Sequence, residues 1–148
     1  MRSDYSSQSE YLPIVNGILY ANGVVQRYTI QTDRNGRRLE IHPSPSDDQN
    51  ETVETKAYIN DALEWSDRNV EFFIGEGSYG GDGFILAECV STNKMLWLIS
   101  FDNANPFVKL SRYDTLLLAE NNCGEEWAVA MHDMENVSLS IVKQSVYW

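Results

Sequence analysis

The residues best suited to nucleophilic chemistry are Cys123 and His132, with Asp133 next to the histidine. A histidine that activates a cysteine forms a common catalytic pair, and a carboxylate often orients the histidine. Because adjacent residues of a strand point to opposite faces, Asp133 is poorly placed to orient His132. The other cysteine, Cys89, lies in the apolar run FILAECV and is expected to be a small buried hydrophobe. A small hydrolase that uses Cys123 and His132 is kept as an alternative. The leading interpretation assigns no catalytic residue.

A glycine-rich segment at 75–80, GEGSYG, matches the G-x-G-x-x-G spacing of dinucleotide-binding loops. That fingerprint requires a strand before it and a helix after it, so that the pyrophosphate meets the helix N-terminus. The residues that follow, FILAECV, instead have the composition of a strand. Glu76 and Asp82 would also repel phosphate. We therefore predict no nucleotide cofactor.

Metal-ligand spacings are missing as well. The two histidines and two cysteines lie far apart, with no C-x-x-C or H-x-x-x-H pattern. The loop carboxylates at 47–51, and those of Glu76 and Asp82, do not follow the spacing of a calcium-binding EF-hand loop. The sequence predicts no metal site.

Turn signals divide most of the chain into strands. Asn22-Gly23 favours a two-residue hairpin turn. Further turns at 33–36, 91–94 and 133–136 separate alternating apolar segments. The run PSPSDDQNE at 43–51 predicts a surface loop. These signals are typical of an antiparallel sheet.

One segment, residues 55–67, is predicted to be a helix. Its imperfect apolar stripe consists of Ala57, Ile59, Ala62, Leu63 and Trp65. The predicted fold class is therefore α+β, mainly antiparallel β-sheet of about eight or nine strands with one central helix. The 148 residues suit a single domain over 1–148, in which the polar segment 1–13 is predicted to be flexible.

Charged residues are distributed unevenly along the chain. The net charge is −11, with 22 acidic and 11 basic side chains. Residues 47–88 hold eleven acidic and two basic residues, whereas residues 1–46 are almost balanced. Such a concentration of carboxylates steers a cationic partner and disfavours nucleic acid or an anionic membrane surface. The pattern indicates a basic protein partner.

Aromatic residues beside these carboxylates are typical of a protein-binding surface with an acidic rim. Trp65 and Tyr79 are the candidate anchors. The predicted partner-binding residues are Asp47, Asp48, Glu51, Asp61, Glu64, Trp65, Asp67, Glu76, Tyr79 and Asp82.

The segment from Phe72 to Phe107, FFIGEGSYGGDGFILAECVSTNKMLWLISFDNANPF, resembles the central hairpin of the SUKH superfamily. The shared features are a strand ending in IG, a turn ending in GGDG, and two strands joined by a short turn. Many bacterial members of that superfamily are immunity proteins that neutralise a cognate toxin, and those that oppose nuclease toxins are often acidic. The resemblance implies a role in binding and blocking.

The leading hypothesis is a cytoplasmic immunity protein that binds a basic, nuclease-type toxin domain through its acidic surface. It would bind neither nucleic acid nor membrane and would be a monomer or a weak homodimer. A phage-encoded acidic inhibitor that mimics nucleic acid uses the same charge, and a structural subunit of a phage or secretion particle is a further alternative. The sequence has no apolar stretch approaching the ~20 residues that cross a bilayer.

Overall fold

The computed structural model describes residues 10–43 and 53–145, which form two antiparallel sheets. In chain order the strands are β1 (Glu10–Ile14), β2 (Gly17–Tyr20), β3 (Val25–Asp33), β4 (Gly36–Ile41), β5 (Val53–Trp65), β6 (Val70–Glu76), β7 (Gly83–Cys89), β8 (Met95–Phe101), β9 (Phe107–Tyr113), β10 (Leu116–Asn121), β11 (Glu126–Asp133) and β12 (Asn136–Lys143). The only helical segment in this part of the chain is a single 3₁₀ turn, Ser66–Arg68.

The larger sheet has eight strands in the order β1-β5-β6-β7-β8-β2-β3-β4, and the smaller has four in the order β12-β11-β10-β9. All four predicted turns are confirmed as connections between paired strands. At the first of them, Gly23 adopts a φ of 91°, which glycine reaches without steric cost. The segment that resembles the SUKH hairpin forms β6, β7 and β8.

The predicted helix is wrong, because residues 53–65 form the longest strand, β5. The α+β class is therefore corrected to an all-β fold with no central helix. Four residues of the expected helical stripe are spaced at even intervals, as in a strand. Ala57 and Ile59 pack on one face of the large sheet, and Leu63 and Trp65 pack on the other. A bulge near Asn60 shifts the register between β5 and β6, so that the residues before and after it face opposite sides of the sheet.

The main hydrophobic core lies between the two sheets. Phe72 and Trp97 of the large sheet and Leu117 and Trp127 of the small sheet are all fully buried there. The Trp127 ring contacts Phe101 edge-on, with ring centroids 5.2 Å apart. Such T-shaped aromatic contacts add to the free energy gained by burying the rings.

A second core lies on the opposite face of the large sheet. Phe73, Leu86 and Leu98 lie side by side on adjacent strands there and are almost inaccessible. The sheet curls around this cluster because β1 and β2, separated only by two residues, pair with β5 and β8 respectively. Ser100 Oγ fastens the bend by donating to Pro13 O at 2.8 Å and accepting from Val15 N at 2.9 Å.

A buried ion pair at the border of the main core joins the two sheets. Arg37 on β4 donates from Nε and Nη2 to the Glu125 carboxylate at 2.9 and 2.7 Å, and the two side chains are 6% and 1% exposed. Asn121 Nδ2 and Trp127 Nε1 donate to the same carboxylate at 3.0 and 2.8 Å. The Glu125 carboxylate is thus enclosed by donors from both sheets.

Residues 10–13 of the N-terminal segment predicted to be flexible belong to β1, which pairs with β5. Residues 1–9 lie outside the described part of the chain, as do most of the predicted surface loop and its acidic residues. Within the described residues, no helix is long and apolar enough to cross a membrane.

Candidate functional site

The predicted partner-binding residues do not form one surface. Asp47, Asp48 and Glu51 lie outside the described residues. Of the others, Glu64, Asp67 and Tyr79 are exposed, Asp61 and Glu76 are partly buried, and Trp65 and Asp82 are buried. Total acidity along the sequence therefore does not translate directly into an acidic face.

Trp65, one of the two predicted anchors, belongs to the core between the sheets and is 3% exposed. The guanidinium of Arg112 lies 3.8 Å from the centre of its ring, and that of Arg68 lies 4.9 Å away. These distances fit cation–π contacts. The indole is thus covered from within the chain, and its prediction as an exposed anchor is not supported by this placement.

Asp61 connects strands instead of facing solvent. Its Oδ2 accepts from Leu110 N at 2.9 Å, which links β5 to β9, and its Oδ1 accepts from Ala62 N at 2.9 Å. A carboxylate that holds two backbone N–H groups across a bulge stabilises the strand at that point. We therefore assign Asp61 a structural role.

The remaining predicted residues fall into two groups at opposite ends of the β5–β6 hairpin. Glu64 lies near the end of β5, and Asp67 lies in the 3₁₀ turn that follows it. Glu76 pairs with Tyr58, six residues along β5 from Glu64, which corresponds to about 20 Å at the usual rise of a strand. A compact binding partner can have only one of these two groups at the centre of its interface.

Three glutamates line up across adjacent strands near the β5–β6 turn. Glu64 is opposite Glu71, and Glu71 is opposite Glu88, all on the face away from the core between the sheets. Burial raises the pKa of Glu71 above its ordinary value of 4.5, and the charges of Glu64 and Glu88 raise it further. Like charges directly opposite one another destabilise a sheet, so this row stores electrostatic repulsion.

At the other end of the hairpin, three tyrosines lie exposed on adjacent segments. Tyr11 on β1 is 61% exposed, Tyr58 on β5 is 47% exposed, and Tyr79 in the loop after β6 is 60% exposed. Together with Glu54 and Glu76 we call these residues the tyrosine–carboxylate surface. Glu76 is directly opposite Tyr58, and Tyr79 Oη donates to Glu54 O at 3.1 Å. Of these five residues, only Tyr79 and Glu76 were predicted from the sequence.

The loop that carries Tyr79 is held against β5 by its own backbone. Ser78 N donates to Thr55 Oγ1 at 2.8 Å, and Thr55 is 4% exposed. Gly77 approaches so closely that a Cβ at this position would collide with Thr55 Oγ1 and Asp82 Oδ2. The glycine spacing that resembles a nucleotide-binding loop thus has a packing cause. Asp82, predicted to bind a partner, lies beneath this loop and is 1% exposed.

The Cys123–His132 pair is not assembled. Cys123 lies in the turn before β11 and His132 lies near the far end of that strand, about 20 Å away at the usual strand rise. Cys123 Sγ instead contacts Asn122 Oδ1 at 3.5 Å. Cys123 does line a cavity of about 390 Å³ with Arg37 and Glu125, but both of those side chains already bond each other.

Cys89 is partly buried at the end of β7 instead of fully buried as expected. Its Sγ accepts from Asn69 Nδ2 at 3.4 Å and lies 3.3 Å from Ser91 Oγ. Hydrogen bonds from the side chains of Ser91 and Thr92 lower the pKa of the thiol to about 7. A thiolate is thus accessible near neutral pH, although no catalytic base is placed beside it by these contacts.

Among the described residues, no three side chains of His, Cys, Asp or Glu converge as a metal-binding group. Comparisons with family models, curated proteins and solved structures gave no significant match to this chain.

Proposed function

We propose that this chain is an immunity protein that neutralises a cognate toxin by binding a basic domain of that toxin. The observation that carries the proposal is the tyrosine–carboxylate surface, where three exposed tyrosines lie beside two carboxylates. Tyrosine is enriched at the energetic centres of protein interfaces because its ring buries a large area while its hydroxyl forms a hydrogen bond. The tyrosines serve as anchors and the carboxylates as a charged rim.

The charge of the chain supports a basic partner. An acidic segment of the sequence comes directly before β5, the strand that carries Glu54 and Tyr58. Its carboxylates belong to Asp47, Asp48 and Glu51. Carboxylates around an interface raise the association rate of a cationic partner and make it sensitive to salt. The exposed Glu64 and Asp67 add to this field from the far end of the hairpin.

The SUKH-like segment supports the same class of function. Its residues form β6 to β8 and the glycine-rich loop, and that loop carries Tyr79. An immunity protein needs to bind and block, so it requires a prepared surface and no catalytic group. Two hydrogen bonds hold this surface in place, one from Tyr79 Oη to Glu54 O and one from Ser78 N to Thr55 Oγ1. Because these groups are already ordered, less conformational entropy is lost on binding.

The first experiment is co-expression of this chain with the product of the neighbouring upstream reading frame, with growth as the readout. We expect that product to be toxic alone and harmless when this chain is present. A harmless neighbour, or toxicity without rescue, would contradict the proposal. Rescue would also supply the partner for direct binding measurements.

Binding is then measured with Tyr58→Ala and Tyr79→Ala, and with Glu54→Gln plus Glu76→Gln. Truncating a central anchor should cost at least about 2 kcal/mol, roughly a 30-fold loss of affinity. The paired glutamine variant should slow association and flatten its salt dependence while leaving dissociation nearly unchanged.

Matched controls are available on the small sheet. Tyr113 on β9 is 72% exposed, so Tyr113→Ala removes a ring at least as exposed as those of Tyr58 and Tyr79 from the other sheet. Asp133 and Glu135 flank the last hairpin and are exposed, so their amide variants remove the same charge elsewhere. If these controls lower affinity as much as the test variants, the proposed surface is wrong.

A further inference from the structure

Asp82 is the strongest unexplained feature of the described residues. Its side chain is 1% exposed, and neither carboxylate oxygen has a hydrogen-bond partner. A buried, unpaired carboxylate is among the most costly arrangements in a folded protein, since the charge loses its hydration without compensation. The surroundings of Asp82 therefore indicate what could compensate it.

The Thr55 hydroxyl lies beside this carboxylate, and the Ser78 hydroxyl lies beside that of Thr55. A Cβ placed on Gly77 would collide with both Asp82 Oδ2 and Thr55 Oγ1, so both oxygens face the same side of the Gly77 backbone. Ser78 Oγ lies 3.4 Å from Thr55 Oγ1. Thr55 Oγ1 accepts one bond, from Ser78 N, and keeps a second lone pair. Ser78 is exposed, so the cluster is reached from solvent at that residue.

We propose that Asp82, Thr55 and Ser78 bind a sodium ion beneath the glycine-rich loop. The ligand set consists entirely of oxygens, which suits a hard cation and excludes the softer metals that prefer sulfur and imidazole. One carboxylate and two hydroxyls supply a single negative charge, which a monovalent ion neutralises. Calcium usually draws on a larger set of oxygens that includes several carboxylates, and no group of three acidic, histidine or cysteine side chains converges among the described residues.

The ion would add a side-chain link between three segments whose strands already pair side by side. Thr55 belongs to β5, Ser78 follows β6, and Asp82 precedes β7. Because the ion binds the folded arrangement and not the unfolded chain, occupancy stabilises the fold in proportion to the logarithm of the sodium concentration. This proposal does not depend on the toxin-binding proposal.

The test measures the melting temperature in sodium chloride against choline chloride at constant ionic strength, with calcium chloride as a third arm. We expect the wild-type melting temperature to rise as sodium replaces choline, because screening is the same in both salts and only specific binding distinguishes them. Asp82→Asn should remove the sodium dependence. It should also melt higher than the wild type in choline, because the buried charge is gone. The matched control is Asp102→Asn, an exposed carboxylate on the adjacent loop, which should keep the full response.

Thr55→Val is a second variant, which preserves the shape of that side chain and leaves the Asp82 carboxylate in place. Loss of one oxygen ligand, like loss of a hydrogen bond to a charged group, should weaken the apparent sodium affinity by about tenfold or more. Equal melting temperatures in sodium and choline for the wild type would overturn the proposal, as would a sodium response retained by Asp82→Asn. A response to calcium with none to sodium would overturn the assignment of a monovalent ion to a site with a single negative charge.

Discussion

The buried pair of Arg37 and Glu125 provides a quantitative test of how the two sheets are joined. Glu125→Gln keeps the shape of the side chain but removes its charge. The Arg37 guanidinium, 6% exposed, would then be left without its counter-ion. Removal of one partner from a buried ion pair costs about 3–5 kcal/mol, because the other charge stays desolvated and unpaired. In a domain whose total stability is typically about 5–15 kcal/mol, this is a large loss that still permits folding.

Unfolding in urea, followed by far-UV circular dichroism and tryptophan fluorescence, measures this free energy. A matched control is the exposed pair of Arg38 and Asp33, which has the same 2.7 Å separation but side chains that are 57% and 48% exposed. Arg38→Met should cost less than about 1 kcal/mol, because water screens that pair. The double variant Arg37→Met with Glu125→Gln should cost no more than the worse single change, since the two residues act together. If Glu125→Gln lowers the free energy of unfolding no more than Arg38→Met does, burial does not set the strength of the Arg37–Glu125 pair and the prediction is refuted.

Two further predictions concern titratable groups. Because burial and neighbouring charges raise the pKa of Glu71, the folded state binds the proton more tightly than the unfolded state, so stability falls as pH rises from 4.5 through the higher folded pKa. Glu71→Gln should remove that part of the pH dependence and raise stability at pH 7 by about 0.2–1 kcal/mol, and an unchanged profile of melting temperature against pH would contradict this. In a Cys123→Ser background, alkylation of Cys89 by iodoacetamide should reach half its maximal rate near pH 7, matching the thiol pKa of about 7. Ser91→Ala should move that midpoint toward the ordinary value of 9.0, and a midpoint that does not move would refute the assigned cause.

Local sequence signals predicted the hairpins correctly but not β5. Turns such as Asn22-Gly23 depend on a few residues whose backbone preferences are strong. The strand from Val53 to Trp65 is rich in Ala, Leu, Glu and Lys, which favour helices, and its alternation is interrupted by a bulge. Pairing with β1 and β6 on its two edges outweighs these preferences, and such long-range pairing cannot be read from a single segment.

The candidate site was predicted only in part, for a related reason. Charge per segment identifies which residues are acidic, whereas their exposure depends on strand register and loop packing. A helix over residues 55–67 would put Asp61 and Glu64 together on the polar face opposite its apolar stripe. In the strand, Asp61 instead accepts a hydrogen bond from Leu110 N, and Glu64 faces the side away from the main core. Tyr11 and Tyr58 carried no local signal, because they become neighbours only through the pairing of β1 with β5.

The glycine-rich loop connects the packing of the fold with the proposed surface. A Cβ at Gly75 would collide with Tyr58 O, and one at Gly77 with Thr55 Oγ1, so both glycines are required by the close approach of the β6 backbone to β5. That approach allows Ser78 N to reach Thr55 Oγ1 and Tyr79 Oη to reach Glu54 O. An exposed tyrosine fixed by its hydroxyl loses little further freedom on binding, which favours it as an anchor. The spacing that looks like a phosphate loop therefore holds an aromatic side chain at the surface, as the proposed toxin-binding surface requires.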